Sequence, residues 1–317
     1  MLQGRKLPEK LRQRPATFRE IAKAALLYSK GHKTVDSFRQ DQWHMETLVD
    51  WFGNRAACDV APQEIEQRLS DLASEGRQPA TINRYRSLLS LIYRLAVRDN
   101  KIQDNPVRQV RRRRENNLRV RFLDPDEETA LRAEIRLLAS QHEPEFDLAL
   151  HTGMRRNEQY RLRWEAVNTD VGMISIMDSK NGERRHIPLN SEARRAIDWL
   201  SAQRDGSGFV CPGTTGERRR DWRRWFEQAV KKAGIADFRW HDLRHTFASR
   251  LAMAGVPLRT VAELLGHKTL TMTMRYAHLA PAHLRDAVEY LTGQNSTDTT
   301  TDTGAAADAR FTTARSK

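Results

Sequence analysis

The sequence predicts a mainly helical protein with a small antiparallel β-sheet, that is, an α+β fold in two domains. The chain has 317 residues, a length typical of about two domains that each bury a core. Long segments repeat apolar residues at three- and four-residue steps, which is the period of an amphipathic helix. Around Asn181-Gly182 the pattern changes to β-branched residues, and Asn-Gly between such residues is the strongest short signal for a β-hairpin.

Four helices are predicted in the N-terminal domain, which spans residues 15–105 after an extension of residues 1–14. The first helix begins at Thr17 and runs to about Ser29, because Thr17 and Glu20 have the spacing of a capping box. The others are predicted at residues 35–52, from the "VAPQE" sequence to Gly76, and at residues 80–99.

Arginines on the fourth helix and just after it are candidate contacts to DNA phosphates. The apolar stripe of that helix faces a core, so Arg84 and Arg86 lie mainly on its other side. The sequence "NPVRQVRRRRENNLRVRFLDPDE" then has the charge of an exposed connection, and we interpret residues 106–121 as a basic linker. Most such runs are simply solvated, but between two DNA-facing domains this one is suited to follow a phosphate backbone. Its four consecutive arginines are Arg111, Arg112, Arg113 and Arg114.

The second domain, residues 122–292, is predicted to place helices on both sides of the hairpin. Its helices begin at Asp124-Pro125, at Ser191 and near Arg219, followed by two short helical patterns broken at Gly266 and an amphipathic helix in "PAHLRDAVEYL". From residue 293 onward, the Thr, Asp, Ala and Ser content predicts a disordered tail.

The charge of the chain favours a polyanionic partner. Lys and Arg total 54 against 41 Asp and Glu, a net charge of +13, and nucleic acid is the simplest partner for such an excess. The alternative is that the charge only maintains solubility.

Cys58 and Cys211 are isolated, which suits a reducing compartment and predicts neither a disulfide framework nor a zinc site. Without a signal-like or membrane-spanning apolar run, a cytoplasmic protein is expected.

Four separated motifs carry most of the polar chemistry: "TGMRRNE" (152–158), "SKNG" (179–182), "HDLRH" (241–245) and "LLGHKTLTMTMRYAH" (264–278). Their order and spacing resemble the tyrosine recombinase, or phage integrase, family over most of the chain. The resemblance implies a prokaryotic site-specific DNA recombinase whose two domains form a C-shaped clamp around duplex DNA. It also implies cleavage and rejoining through a 3′-phosphotyrosyl intermediate, without metal, ATP or another cofactor.

The resemblance assigns roles to eight residues. The catalytic positions are Arg155, Lys180, His241, Arg244, His267 and Tyr276, and the supporting positions are Glu158 and His245. Glu158 is three residues from Arg155, close enough on a helix to orient the guanidinium by an ion pair.

The same residue types suit phosphoryl transfer on chemical grounds. A pentavalent transition state carries extra negative charge on its nonbridging oxygens, and planar guanidinium groups such as those of Arg155 and Arg244 match two oxygens at once. A tyrosine hydroxyl is a poor nucleophile at neutral pH, so Tyr276 needs either a proton acceptor, for which His241 is the first candidate, or a strongly cationic pocket that lowers its pKa. The leaving 5′ oxygen needs a proton donor, and Lys180 on the hairpin fits that role.

Plainer interpretations exist for each of these residues. His241 and His245 have the spacing of metal ligands, but Arg244 between them would repel a cation. Tyr276 alone is more typical of a half-buried ring, and Lys180 of a solvent-facing hairpin residue.

Other functional classes compete with recombination. The sequence "RTVAELLGHKTLTMTMRY" imitates a helix-turn-helix, which would make the protein a DNA-binding regulator without catalysis. A type IB topoisomerase shares the chemistry. Within the recombinases, integration or excision of a phage or mobile element is preferred to a Xer-type resolvase.

The resemblance also predicts the partners. Four protomers are expected to synapse two double-stranded recombination sites. Accessory DNA-bending or directionality proteins are possible further partners, and no membrane is expected to take part. The "PAHLRDAVEYL" helix either docks on a neighbouring protomer, as its family counterpart does, or covers the core of its own domain.

Overall fold

The computed structural model describes residues 14–115, 119–177 and 184–280. Contacts divide the chain between Asn117 and Leu118 into an N-terminal unit and a C-terminal unit. Both described units are mainly helical, and the C-terminal unit contains a three-stranded antiparallel sheet, so the predicted fold class is confirmed. In the described residues, no helix combines the length and apolar character needed to cross a membrane.

Four helices make up the N-terminal unit: α1 (Phe18–His32), α2 (Val35–Phe52), α3 (Pro62–Ser74) and α4 (Pro79–Arg98). The capping box at the start of α1 is present, with Thr17 and Glu20 each accepting from the other's backbone amide. α4 packs against the other three helices. Its stripe is buried in a core that includes Phe18, Leu48, Phe52, Leu89, Ile92 and Tyr93.

Part of the predicted linker is packed against α4 instead of being exposed. Val107 and Val110 are buried in the core of the N-terminal unit. Arg86 donates from Nε to the Val110 carbonyl at 2.8 Å and from Nη2 to the Val107 carbonyl at 3.2 Å. Arg113 donates to Ser70 Oγ at 3.1 Å. The two valines thus carry the segment into the core, and the half-buried Arg86 and Arg113 hold it there. That these two arginines also contact DNA phosphates stays a prediction.

The other candidate arginines lie at the surface. Arg84 on α4 is exposed, as are Arg111, Arg112 and Arg114. They keep the accessibility that phosphate contacts require.

The C-terminal unit contains seven α-helices and three strands in its described residues. In chain order these are α5 (Pro125–Ala139), α6 (Glu143–Thr152), α7 (Arg156–Gln159), β1 (Val167–Asn168), β2 (Met173–Ile176), β3 (Arg185–Pro188), α8 (Ser191–Ala202), α9 (Trp222–Lys232), α10 (Trp240–Met253) and α11 (Leu258–Leu265). Asp124 and Glu127 form a capping box at the predicted start of α5.

The sheet has the order β1-β2-β3 and is antiparallel throughout. β2 and β3 pair from Met173 with Pro188 to Ile176 with Arg185, so the predicted hairpin exists. Residues 178–183, which include Lys180 and the Asn-Gly pair, lie outside the described residues.

Packing of α6 against α10 determines where the motifs meet. α6 ends at Gly153, whose backbone is left-handed with φ 60°, and a Cβ there would lie 2.4 Å from Phe247 Cδ1 on α10. Glycine therefore permits both the turn and the close approach of the two helices. The turn leads directly into Met154 and Arg155.

The segment after α11 differs from its predicted helical pattern. α11 does end at the predicted break, with Gly266 left-handed at φ 64°. The following residues form two 3₁₀ turns, Leu270–Met272 and Met274–Leu279, instead of a second α-helix. Threonines at positions 269, 271 and 273 explain the difference, because β-branched residues have low helix propensity.

The bonds from Arg86 generate a stability prediction. Replacing Arg86 with Met is expected to lower the free energy of unfolding of the N-terminal unit by about 1.5 to 3 kcal/mol, since two hydrogen bonds from a charged donor are lost. Arg84→Met on the exposed side of α4 is the matched control and should change it by less than about 0.5 kcal/mol. Hydrogen exchange of the α4 amides measures the stability of the N-terminal unit separately from that of the C-terminal unit. Equal protection in the two variants would contradict the prediction.

Candidate active site

Three guanidinium groups converge on the end of α11. Arg185 donates from Nε to the Leu264 carbonyl at 3.2 Å, Arg244 from Nη2 to the Leu265 carbonyl at 2.6 Å, and Arg155 from Nη2 to the Gly266 carbonyl at 3.2 Å. The last carbonyls of an α-helix lack partners within the helix and carry the negative end of its dipole. The "LLGH" motif thus supplies three successive acceptors that fix three arginines from separate elements.

Arg155 and Arg185 share one carboxylate. Glu158 Oε1 accepts from Arg155 Nη1 at 2.8 Å and from Arg185 Nη1 at 3.1 Å, while Oε2 accepts from Arg185 Nη2 at 2.6 Å and from the Arg155 backbone amide at 2.8 Å. Burial would raise the pKa of Glu158, but the hydrogen bonds and charge of Arg185, together with Arg155, lower it to about 2. The predicted Arg155–Glu158 pair is present, and Glu158 is ionised at neutral pH.

Arg244 is almost completely buried on α10. Its Nη1 donates to the Gly153 carbonyl at 2.7 Å, so the turn after α6 and the end of α11 both hold it. Burial, followed by the charge of Arg155, lowers the pKa of Arg244 to about 9. The group stays charged at neutral pH among other positive charges, and an arriving phosphate would offset that repulsion.

The buried hydroxyl of Tyr276 contacts His245. The Tyr276 hydroxyl and His245 Nδ1 are 2.6 Å apart, and the Tyr276 side chain is 2% exposed. Burial raises the pKa of Tyr276 against the opposing charges of Arg244 and Arg275. Burial, and then the charge of His241, lowers the pKa of His245 to about 4. The hydroxyl is therefore protonated at neutral pH beside a neutral imidazole that can accept its proton.

His241 lies one helical turn before His245 on α10. Its side chain is exposed, and its ring centroid lies 5.1 Å from that of His245. Packing of the surrounding protein, followed by the charges of Arg244 and Arg155, lowers the pKa of His241 to about 4. Among the described residues, the imidazole in contact with Tyr276 is that of His245, one helical turn further along α10.

His267 follows the α11 cap and contacts the segment that carries the tyrosine. Its Nδ1 lies 2.8 Å from Thr273 Oγ1, and the Thr273 carbonyl accepts from the Tyr276 amide at 2.9 Å. Burial, followed by the charges of Arg244 and Arg155, lowers the pKa of His267 to about 3. Tyr276 itself lies on a 3₁₀ turn, Met274–Leu279.

Sequence reasoning missed two contributors to this site. Arg185 lies beside Arg184, and the signal that separates them is the two-residue period of β3, which places Arg185 on the face of the buried Ile187 and Arg184 on the exposed face. Asp242 is buried, accepts from the Arg239 amide at 2.8 Å and pairs with Arg119 at 3.2 Å, which fixes the start of α10. An acidic residue at the third position of a helix is a detectable capping signal.

The described residues contain no group of three or more His, Cys, Asp or Glu side chains placed to hold a metal ion. Besides the packing around them, the charges of Arg244 and Arg275 lower the pKa values of both His241 and His245. The charge of Arg155 also lowers the pKa of His241.

Comparison with known proteins identifies relatives of this chain. The phage integrase family matches residues 121–283. The integrase of Salmonella phage P22 is 33% identical over 225 residues, which are 65% of this chain and 56% of that protein. Tyrosine recombinase XerC of Xanthomonas campestris pv. campestris is 29% identical over 265 residues, 79% of this chain and 80% of that protein. This chain thus spans little more than half the length of the phage P22 relative.

Solved structures share the fold. The Tn1549 transposon integrase in complex with a circular intermediate DNA aligns with a TM-score of 0.73 and 20% identity, covering 87% of this chain and 99% of that one. The lambda integrase tetramer bound to a Holliday junction aligns with a TM-score of 0.71 and 20% identity, covering 85% of this chain and 84% of that one.

The histidine pKa values predict a loss of stability in mild acid. His241, His245 and His267 have folded-state pKa values near 4, 4 and 3, below the value of 6.5 expected in the unfolded chain. Their contribution is fully present above pH 6.5 and is lost as the pH falls toward these folded values, because the unfolded chain binds more protons in that window. His245→Gln should flatten the slope of unfolding free energy against pH by up to about 1.4 kcal/mol per pH unit.

Urea denaturation across that pH window measures this slope. His186→Gln, at an exposed position on the sheet, is the matched control for replacing a histidine with glutamine. Identical slopes in both variants would show that the His245 imidazole titrates normally.

Proposed function

Because this chain belongs to the phage integrase family of tyrosine recombinases, we propose that it cleaves and rejoins DNA strands at specific sites through a 3′-phosphotyrosyl intermediate. The main support is the pairing of a nucleophile with an acceptor. The Tyr276 hydroxyl lies 2.6 Å from a neutral His245 imidazole, on a segment that follows the carbonyls holding Arg155 and Arg244. This combination suits attack by a phenolic oxygen on a phosphodiester.

In the proposed cleavage step, the Tyr276 oxygen bonds to phosphorus while the bond from phosphorus to the 5′ oxygen breaks. The hydroxyl proton passes to His245 Nδ1, the acceptor already in contact. This revises the role first considered for His241. Its exposed imidazole is instead suited to donate to a nonbridging oxygen when it carries a proton on the facing nitrogen. Rejoining is the reverse: a free 5′ hydroxyl attacks phosphorus and Tyr276 leaves.

Arg155 and Arg244 would neutralise the developing charge on the phosphate. A guanidinium has five N–H donors, so each can bind protein carbonyls and still donate to a nonbridging oxygen. The side chain of Arg155 is 32% exposed, which leaves part of it open to an incoming strand. His267, held by Thr273, is proposed as a further phosphate contact.

Lys180 is proposed as the acid that protonates the leaving 5′ oxygen. The assignment comes from its place in the "SKNG" motif, since the residue lies outside the described part of the chain. An ammonium group can give its proton to an alkoxide as the bond to phosphorus breaks.

Integration or excision of a phage or mobile element is the proposed biological role. A Xer-type resolvase, with the same chemistry, is the second candidate, supported by the XerC relative that aligns over 79% of this chain. The regulator hypothesis loses its basis in the described structure, because the second helix of the helix-turn-helix pattern is replaced by 3₁₀ turns.

Double-stranded recombination sites are the proposed partners, with four protomers on two synapsed sites. The fold is shared with integrases solved on DNA, one of them a tetramer on a Holliday junction. The exposed Arg84, Arg111, Arg112 and Arg114 are proposed phosphate contacts. The clamp arrangement, the domain limits, accessory proteins and the docking of residues 281–291 stay predictions, and those last residues lie outside the described structure.

Trapping on a nicked suicide substrate tests the nucleophile. The unchanged protein should accumulate a covalent DNA adduct in EDTA and without ATP, because neither a metal nor a nucleotide is required. Tyr276→Phe should form no adduct while DNA affinity changes by less than about threefold, since only the attacking oxygen is lost. Tyr28→Phe in the N-terminal unit is the matched control. An adduct with Tyr276→Phe on a bound cognate site would exclude this tyrosine as the nucleophile.

The proposed acid has its own test. Lys180→Met should slow cleavage of an ordinary strand by about 10²- to 10⁴-fold, the usual contribution of general acid catalysis. A substrate with sulfur in place of the bridging 5′ oxygen should restore the rate, because a thiolate leaves without protonation. The deficit of Lys180→Met would persist on the sulfur substrate if the lysine only bound DNA.

A further inference from the structure

We propose that Arg185 is a positioning residue that holds Arg155, through Glu158, in the orientation that receives the scissile phosphate. The inference rests on the proposed recombinase function and adds a residue that none of the four sequence motifs contains. Arg185 lies on β3, in the strand that follows the Lys180 segment. It therefore links the hairpin, α7 and the end of α11.

Every nitrogen of the Arg185 guanidinium donates to the protein. Nε bonds the Leu264 carbonyl, and the two terminal nitrogens bond the two oxygens of Glu158. The Arg185 side chain is 9% exposed and that of Glu158 7% exposed. A bidentate pair with this little exposure is held in one geometry, which a point charge such as an ammonium group cannot reproduce. The buried position keeps Arg185 from contacting DNA itself.

Glu158 transmits this geometry to Arg155. Each carboxylate oxygen accepts one bond from Arg185 and one from Arg155, through Arg155 Nη1 on Oε1 and through the Arg155 backbone amide on Oε2. The carboxylate thus fixes both the main chain and the side chain of Arg155. Without Arg185, one bond to each oxygen is lost, and a buried carboxylate with missing partners rearranges or takes up water.

Gly266 shows how closely Arg185 is packed against the C-terminal end of α11. A Cβ built on Gly266 would lie 2.9 Å from Arg185 Cδ. The carbonyl of the same glycine accepts from Arg155 Nη2. The stem of Arg185 therefore fills the space beside the Gly266 Cα, next to the carbonyl that anchors Arg155.

A purely structural role for Arg185 is the competing interpretation, and the charge of the substrate separates the two. If Arg185 acts by positioning Arg155, its loss matters only while the scissile phosphate carries the negative charge that Arg155 neutralises. A methylphosphonate at the scissile position removes that charge. If Arg185 only maintained the fold, its loss would slow reaction on charged and neutral substrates equally.

The experiment measures single-turnover adduct formation by the full chain at saturating protein. Arg185→Gln should slow cleavage of the ordinary phosphodiester by about 10- to 100-fold, the scale of a misplaced catalytic group, with DNA affinity within about threefold. Arg185→Lys should recover part of the rate because it retains the charge but not the bidentate bond. On the methylphosphonate, Arg185→Gln and the unchanged protein should differ by less than about threefold.

Two further arms complete the test. Arg259→Gln is the matched control, because Arg259 forms an Arg–Glu pair with Glu263 at 3.0 Å on the exposed face of α11, and it should react at the unchanged rate. Glu158→Gln combined with Arg185→Gln should be no slower than the slower single variant, since both act on Arg155.

An equal deficit of Arg185→Gln on both substrates, or full activity on the phosphodiester, would overturn the inference. Failure of the proposed function is distinguishable from this, because it would leave the unchanged protein without an adduct at Tyr276.

Discussion

The end of α11 is the constraint on which the rest of the site depends. Its last carbonyls, from Leu264 to Gly266, lack helical partners, and guanidinium groups from β3, α10 and the start of α7 satisfy them. Each arginine gains an acceptor at the negative end of a helix dipole, which reduces the cost of partial burial. One helix end thereby gathers side chains that are separated by up to 89 positions in the sequence (155 to 244).

This concentration of positive charge explains the protonation states around it. Packing of the surrounding protein and neighbouring arginines lower the pKa values of His241, His245 and His267 well below neutrality, so the three imidazoles are neutral at pH 7. Glu158 remains ionised for the same reason and is the nearby carboxylate that compensates two of the arginines. A neutral imidazole beside the Tyr276 hydroxyl is suited to proton removal, and the positive charge that Glu158 leaves uncompensated is suited to a phosphate.

The surrounding fold supplies the rigidity that this chemistry needs. α10 carries His241, Arg244 and His245 on one helix, its start is fixed by Asp242, and its close packing on α6 depends on Gly153. Tyr276 lies on a short 3₁₀ segment, and Thr273 at the start of that segment contacts His267. Most of the site is therefore carried by α-helices and a strand, while Tyr276, the proposed nucleophile, lies on the less regular element.

The sequence by itself determined the local features, because they depend on neighbours a few positions apart. The capping boxes at Thr17 and Asp124, the bounds of α2 and the helix end before Gly266 were all predictable in this way, as was the order of the motifs. Only the tertiary structure decided which side chains meet across long separations. It turned Arg86 toward the packed linker, placed His245 against a tyrosine 31 residues away and buried Arg185 on Glu158. Spacing along one helix places residues on a face, but packing between helices determines what that face contacts.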